Sequence, residues 1–421
     1  MHQRPLGPQE ALFTELYLRA AGAVQLTVVA RLSRPAPALE LASALGQVHD
    51  RHPLLRARVE QRTDGRWWWV CDVPYSAVQM RTQELDGEVD SEVDLDAIYA
   101  TEAEQTMDIR SVCYRVTALT RSDQVHWILL TVNHAAVDGR AALTVLNEVE
   151  AVLSGQPASA APLPLPPAVE DGVTHAAAGG RNLLPPIPDE ALWPVAEPAP
   201  AADRLPRATY RHFPKVDLQR LHERMRERGE RLGAAFAAAI APAARDFPGW
   251  TEWTPMLVTA DLRKNCEPVV APDSVGCFVG SLMLYLRPDQ QSDSLSTTAR
   301  VLAKQLTQER DAALQLDATY DAATIAAQAD AIATAADQFS NGVCVSDVGD
   351  MSRLAGRPAG FDEVMLMPAQ RHCAHPVMLV AITTETGVHL TIGYAEPVTS
   401  AETAHRFADA YLAALYDLAA D

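Results

Sequence analysis

The stretch "TVNHAAVDGR", Thr131–Arg140, decides how this chain is read, because it joins an apolar run to an amphipathic one and carries a histidine, an aspartate and a glycine. Upstream, "VHWILLTVNH" alternates as a strand does. His134 therefore shares a face with Val132, Leu130 and Ile128, and Asn133 faces the other way with Thr131, Leu129 and Trp127. Downstream, "GRAALTVLNEVEAVLSG" sets Leu143, Leu146, Val149 and Leu153 on one helical stripe, with Asp138 where an N-cap belongs. A strand-to-helix turn projects its last strand residue into the space beyond the sheet, where an imidazole of ordinary pKa about 6.5 can act as a general base. The pattern His-x-x-x-Asp-Gly is short enough to arise by chance. From the residues alone, a catalytic base and a capped turn both remain open.

Outward from that stretch, the 421 residues exceed what one hydrophobic core serves, so two domains or a pseudo-symmetric pair are expected, and a hydrophobic share of 48% can fill two cores. Proline and alanine crowd the region from Ser154 to Pro206, which reads as an extended crossing linker over 156–206 between domains at 1–155 and 207–421. Before it, "LELASALGQVHD" has helix spacing, "LLRARVE" and "TDGRWWWV" form a hairpin about Asp64-Gly65, and "VCYRVTAL" and "VHWILLTV" are strands. After it come a helix from "VDLQRLHERMRERGERLGAAFAAAIAPAA" and strands in "TPMLVTADLR", "VGCFVGSLMLYLR" and "NGVCVSDVG". A second helix, "SLSTTARVLAKQLTQERDAAL", a hairpin about Thr386-Gly387 and a closing amphipathic helix complete the chain. Helices mixed with hairpin-like strands favour two α+β layers over a doubly wound parallel sheet.

Composition excludes several functions. A formal charge of −19 does not suit a protein whose partner is a phosphate backbone, so no nucleic acid is expected. No apolar run reaches the ~18 to 20 residues of a transmembrane span, and "MHQRPLGPQE" lacks signal-peptide order, so the expected location is cytoplasmic. The six cysteines are scattered without a C-x-x-C pair and read as reduced, buried thiols. "RHCAHP" holds His372, Cys373 and His375 but no separated second pair, so packing is preferred to a metal site. The arginines of "QRLHERMRERGERLG" alternate with glutamates as on a solvated helix face, though such a strip can also steer an acidic carrier protein or the phosphates of coenzyme A. The glycines of "AAAGGRN" lack the strand and lysine of a phosphate loop.

Taken together, "LGPQEALF", "HDRHPLLRARVE" and His134–Gly139, followed by "TADLRKN", "VGCFVGS" and "NGVCVSDVGD", resemble in order and spacing the condensation-domain-like, chloramphenicol acetyltransferase-like acyltransferase superfamily. The length and layout are most like the stand-alone, polyketide-associated (phthiocerol dimycocerosyl transferase-type) members that esterify alcohols. The resemblance implies an α+β pseudo-dimer of two chloramphenicol-acetyltransferase-like domains with a tunnel at their interface, able to work as a monomer. It places the active-site histidine of the family's HHxxxDG motif on His134 and its first histidine on Asn133, a departure that should alter support for the strand without removing the base. It also implies that Asp138 is structural, with Arg263 as candidate partner, that Gly139 permits a tight turn into the helix, and that Ser346 can hydrogen-bond an oxyanion or the thioester arm while Asp347 is a turn residue. The implied donor is an acyl thioester on phosphopantetheine of an acyl carrier protein or on coenzyme A, the acceptor a small-molecule alcohol, and no metal or bound cofactor is required. Because the family's DFGWG signature is not evident, ester formation is favoured over peptide bond formation. An amide-forming enzyme of the same fold, or a carrier-docking module without chemistry, are the competing readings.

Overall fold

The segment Phe361–Ala369 is apolar on both faces, Val364 and Leu366 packing into one core and Met365 and Met367 into another, as befits a strand buried on both sides. It shows how the two halves are joined. The computed structural model describes residues 3–85, 93–156, 161–174, 178, 180, 187–351 and 360–421. The stretch "AAAGGRN" lies almost wholly outside them, as does part of the expected linker. Among the described residues two large sheets dominate. The first has the strand order Phe361–Ala369, Gln25–Pro37, Gln124–Asn133, Tyr114–Arg121, Met80–Glu84. The second runs Val279–Leu286, Thr254–Asp261, Val343–Asp350, Met378–Thr383, Gly387–Glu396, Leu205–Pro214. A strand from late in the chain thus completes the early sheet, antiparallel to Gln25–Pro37 with Leu366 opposite Val28.

Helices Ala38–Arg51 and Gly139–Leu153 pack on the first sheet and on each other. Lys215–Glu227, Leu232–Ala238, Leu295–Ala312 and Ala401–Ala420 form the layer over the second sheet, sharing its core. The last of these illustrates the local logic. Ser400 caps it by accepting from the Thr403 N–H, and Ala404, Phe407, Ala408, Tyr411, Leu415 and Leu418 recur at helical spacing and are buried. A second element from beyond residue 206, the helix Ala322–Thr334, packs on Pro8–Arg19 in the first lobe. Neither it nor the crossing strand stands out by periodicity alone.

Two devices seat these crossings. Gly393 faces Pro368, and a Cβ there would lie 2.9 Å from the proline Cγ, so only glycine lets the strand approach the second sheet this closely. The Arg204 guanidinium is fully buried and donates to the carbonyls of Ala199 (2.8 Å), Arg371 (2.9 Å) and Ala335 (2.6 Å). Within the proline-rich stretch, Trp193 is buried and Trp193–Pro194 pairs with Gln338–Phe339, so part of that connection is a fixed strap.

The strand that leads to His134 rests on a buried charge network. Glu102, from helix Leu95–Glu104, accepts from Arg115 Nε, Thr117 Oγ1 and Thr131 Oγ1, and the exposures of the Arg115 and Glu102 side chains are 3% and 5%. Removing one partner of such a pair strands the other charge. Arg115→Met should destabilise the fold by roughly 3–5 kcal/mol in urea unfolding. Adding Glu102→Gln should recover part of that loss, whereas equal stability of the single variant and wild type would show that the pair does not support the strand.

Candidate active site

The turn after the Gln124–Asn133 strand is built by Asn133. Its carbonyl accepts from the Ala136 and Val137 N–H groups (3.0 and 3.1 Å), and its Oδ1 accepts from Ala135 N–H (3.1 Å). Asn133 is fully buried, so it supports the turn and does not enter the cavity. The His134 N–H donates to the Val24 carbonyl at 3.1 Å, which fixes the histidine backbone against the neighbouring strand. Its ring stacks at a tilt on Phe13, 5.0 Å between centroids, and its Nδ1 lies 4.0 Å from Cys277 Sγ.

Burial holds the His134 pKa below the ordinary histidine value, outweighing the Asp138 charge and the backbone carbonyls of His134 and Val137, which pull upward. In the tautomer with the proton on Nδ1, Nε2 carries the lone pair. The ring is then neutral at pH 7 and ready to accept a proton. Cys277 does not compete as a nucleophile, because burial, reinforced by Asp138, pushes its thiol well above the usual cysteine range.

Asp138 joins the lobes. Its Oδ1 accepts from the Ala141 N–H at 2.8 Å as helix N-cap, Oδ2 accepts from the Phe278 N–H at 2.9 Å, and the Arg263 guanidinium lies 3.0 Å away. Burial alone would raise its pKa, but Arg263 and the two N–H donors bring it below the usual carboxylate range. Arg263 also donates to Asp261 at 3.0 Å. Gly139 opens the helix that follows the turn. Its φ is not in the left-handed region; instead a Cβ there would lie 2.9 Å from Leu366 Cδ1 and 3.4 Å from Val348 Cγ2. A side chain at this position would therefore press on the ends of the Leu366 and Val348 side chains.

Between the lobes lies a cavity of about 90 Å³ lined by His134, Asp138, Gly139 and Arg140 from the first lobe and by Thr259, Asp261, Arg263, Cys344, Ser346, Asp347, Met378 and Val380 from the second, with Leu366 and Pro368 from the crossing strand. The Ser346 Oγ accepts from Thr259 Oγ1 at 3.0 Å, so its own proton is free to donate. Asp347 accepts from the Gly349 N–H at a bulge in the strand, and desolvation pushes its carboxyl up to about 6. Thr259, Arg140, Phe13 and Cys277 were not singled out from sequence. Only their position in the fold brings them here. His372, Cys373 and His375 are buried elsewhere, His375 Nδ1 donating to the Gly342 carbonyl, and burial lowers the two histidines to about 3 and about 4. Among the described residues no group of three or more His, Cys, Asp or Glu side chains could hold a metal ion, and no helix is long and apolar enough to cross a membrane. Within the mixed-charge strip, Arg220 pairs with Asp217 and Arg224 with Glu227 on an exposed helix face.

No protein-family model matches the sequence. Over 126 residues, 30% of this chain, it is 25% identical to the nonribosomal peptide synthetase fmqA of Aspergillus fumigatus, a match that takes in 3% of that relative. Whole-chain likeness comes from solved structures. Polyketide synthase associated protein 5 from Mycobacterium tuberculosis aligns over 99% of this chain and 98% of its own, at 17% identity and a TM-score of 0.68. The TRI3 trichothecene 15-O-acetyltransferase from Fusarium sporotrichioides aligns over 99% and 95%, at 13% identity and 0.72. The first condensation domain of the calcium-dependent antibiotic synthetase aligns over 100% and 96%, at 14% identity and 0.69. The chain therefore has the two-lobed α+β fold of these condensation and acetyltransferase structures.

The Asp138 pair carries a stability prediction. Asp138→Asn keeps an oxygen for the helix cap but removes the charge beside Arg263, and should cost about 3 kcal/mol at neutral pH. Since the native carboxyl titrates below its unfolded value, that stability is complete above the ordinary carboxylate pKa and is lost as pH falls through the depressed one. Urea midpoints of wild type and variant should converge as pH is lowered from about 7 to about 3; a constant gap would rule out the ionised pair as its source.

Proposed function

We propose that the protein is an acyltransferase that moves an acyl group from a thioester, carried on an acyl carrier protein or on coenzyme A, to an acceptor hydroxyl. The observation that carries this reading is His134, held neutral at the wall of an interlobe cavity by a turn that Asn133 and Asp138 fix from either side. The fold shared with condensation domains and an acetyltransferase supports it.

In this reading the acceptor O–H faces His134 Nε2. As its oxygen attacks the thioester carbonyl carbon, the proton passes to Nε2 and a C–O bond forms; the tetrahedral oxyanion then collapses, the C–S bond breaks, and the sulfur leaves as a thiol with that proton. Such a base contributes about 10²- to 10⁴-fold. Ser346, with its proton free, and the N–H groups at the start of the Gly139–Leu153 helix are the candidate oxyanion donors. Asp138 acts through the turn and is a positioning residue. No covalent acyl-enzyme is needed.

Ester formation is preferred to amide formation because the DFGWG signature of the peptide-forming members is not evident in the sequence, and the test compares both. Purified protein is offered acyl-coenzyme A and carrier-bound thioesters with alcohol and amine acceptors in parallel, following thiol release. Alcohols should be acylated; faster amide formation would favour a condensation enzyme, and tight carrier binding without turnover a docking module. The base must be neutral to act, so kcat/KM should be flat near pH 7 and fall as pH drops through a limb below the ordinary value of about 6.5. A limb above that value would contradict His134 as a desolvated base.

A further inference from the structure

We propose that Met378 and Cys344 form the floor of the cavity's apolar end and restrict the donor to short acyl groups, an inference that rests on the acyl-transfer reading. Strand register sets the geometry. Leu257 lies opposite Met283 and beside Cys344, and Cys344 beside Met378, so these four make one cross-strand row. Two residues along, Thr259 lies opposite Ser281, and Ser346 beside Val380, with Thr259 and Ser346 hydrogen-bonded. Side chains two residues apart on a strand share a face about 7 Å apart. A polar row therefore stands at the level of the reaction, and an apolar, methionine-containing row one step below it.

The cavity reaches only part of that lower row. Cys344 and Met378 line it, whereas Leu257 and Met283 lie behind them, packed with Ile187 and Ala191. Leu26 and Pro368, paired across adjacent strands, complete an end with no side-chain hydrogen-bond partner for a substrate, which suits a hydrocarbon chain. Arg140, Asp261, Thr259 and Ser346 supply the polar remainder, which suits the acceptor and the thioester. An engineered apolar cavity of about 150 Å³ holds benzene, about 25 Å³ per heavy atom. By that scale the whole of this cavity, about 90 Å³, has room for about four heavy atoms, so its apolar end is matched to a short acyl group. A longer chain must displace the Met378 side chain, which is unbranched and flexible.

The test varies donor and acceptor lengths separately. With acyl-coenzyme A from acetyl to decanoyl and one alcohol, wild-type kcat/KM should peak at acetyl to butyryl and fall about tenfold for each further pair of methylenes. Met378→Ala should move the peak to hexanoyl or octanoyl, and Cys344→Ala should move it in the same direction by less. With acetyl-coenzyme A and alcohols from ethanol to octanol, the acceptor profile should keep its shape in both variants. An unchanged donor profile in a folded Met378→Ala protein overturns the floor, and should that variant not fold, Met378→Val and Cys344→Ala decide it by the same ratio. A shift in the acceptor profile instead overturns the assignment of the apolar end to the acyl chain. Absence of turnover for every thioester, carrier-bound ones included, brings down the acyl-transfer reading itself and this inference with it.

Discussion

The ion pair between Asp138 and Arg263 is the constraint on which the rest of the site depends. One carboxylate caps the helix that follows His134, accepts the Phe278 N–H from the other lobe and faces a guanidinium that is itself anchored by Asp261. Burial works against both charges, and the pairing with its additional hydrogen bonds offsets that cost. Because the capped residue and the catalytic candidate lie four positions apart in one turn, fixing the carboxylate fixes the imidazole. The same contact closes the two lobes around the cavity.

The lobes are not joined by that pair alone. The strand Phe361–Ala369 lies in the first sheet while Pro368 rests on Gly393 of the second. Its Leu366 and Pro368 line the cavity, and Leu366 Cδ1 lies 2.9 Å from where a Cβ at position 139 would stand. Structure and chemistry are therefore coupled at short range. A side chain at position 139 would have to displace the Leu366 side chain, which is part of the cavity wall.

Much of the fold was legible in sequence. The strand ending at Asn133, the helix from Gly139 to Leu153, the hairpin about Gly387 and the closing helix all appear where alternation, an N-cap and turn residues place them. What periodicity did not reveal were the elements whose environment is set by distant chain. Phe361–Ala369 is apolar on both faces and so shows no alternation, and the alanine-rich Ala322–Thr334 has too weak a stripe to separate from a linker. At the site, His134, Asp138 and Arg263 could be named from motif and resemblance, and the geometry brings them together. Cys277, Phe13 and Thr259 could not be named, since their types are common and only the tertiary fold puts the first two against the ring and Thr259 in the cavity wall. The close approach of Leu366 to Gly139 leaves no trace in the local sequence.

In the proposed reading the chemistry reduces to one neutral ring facing a cavity whose two ends differ in polarity. The most direct measurement is single-turnover ester formation from an acyl thioester and a saturating alcohol by wild-type protein and His134→Ala, with circular dichroism to show that both are folded. The account predicts a loss of about 10²-fold or more in the rate of ester formation. Retention of a rate close to that of the wild type in the folded variant would contradict it.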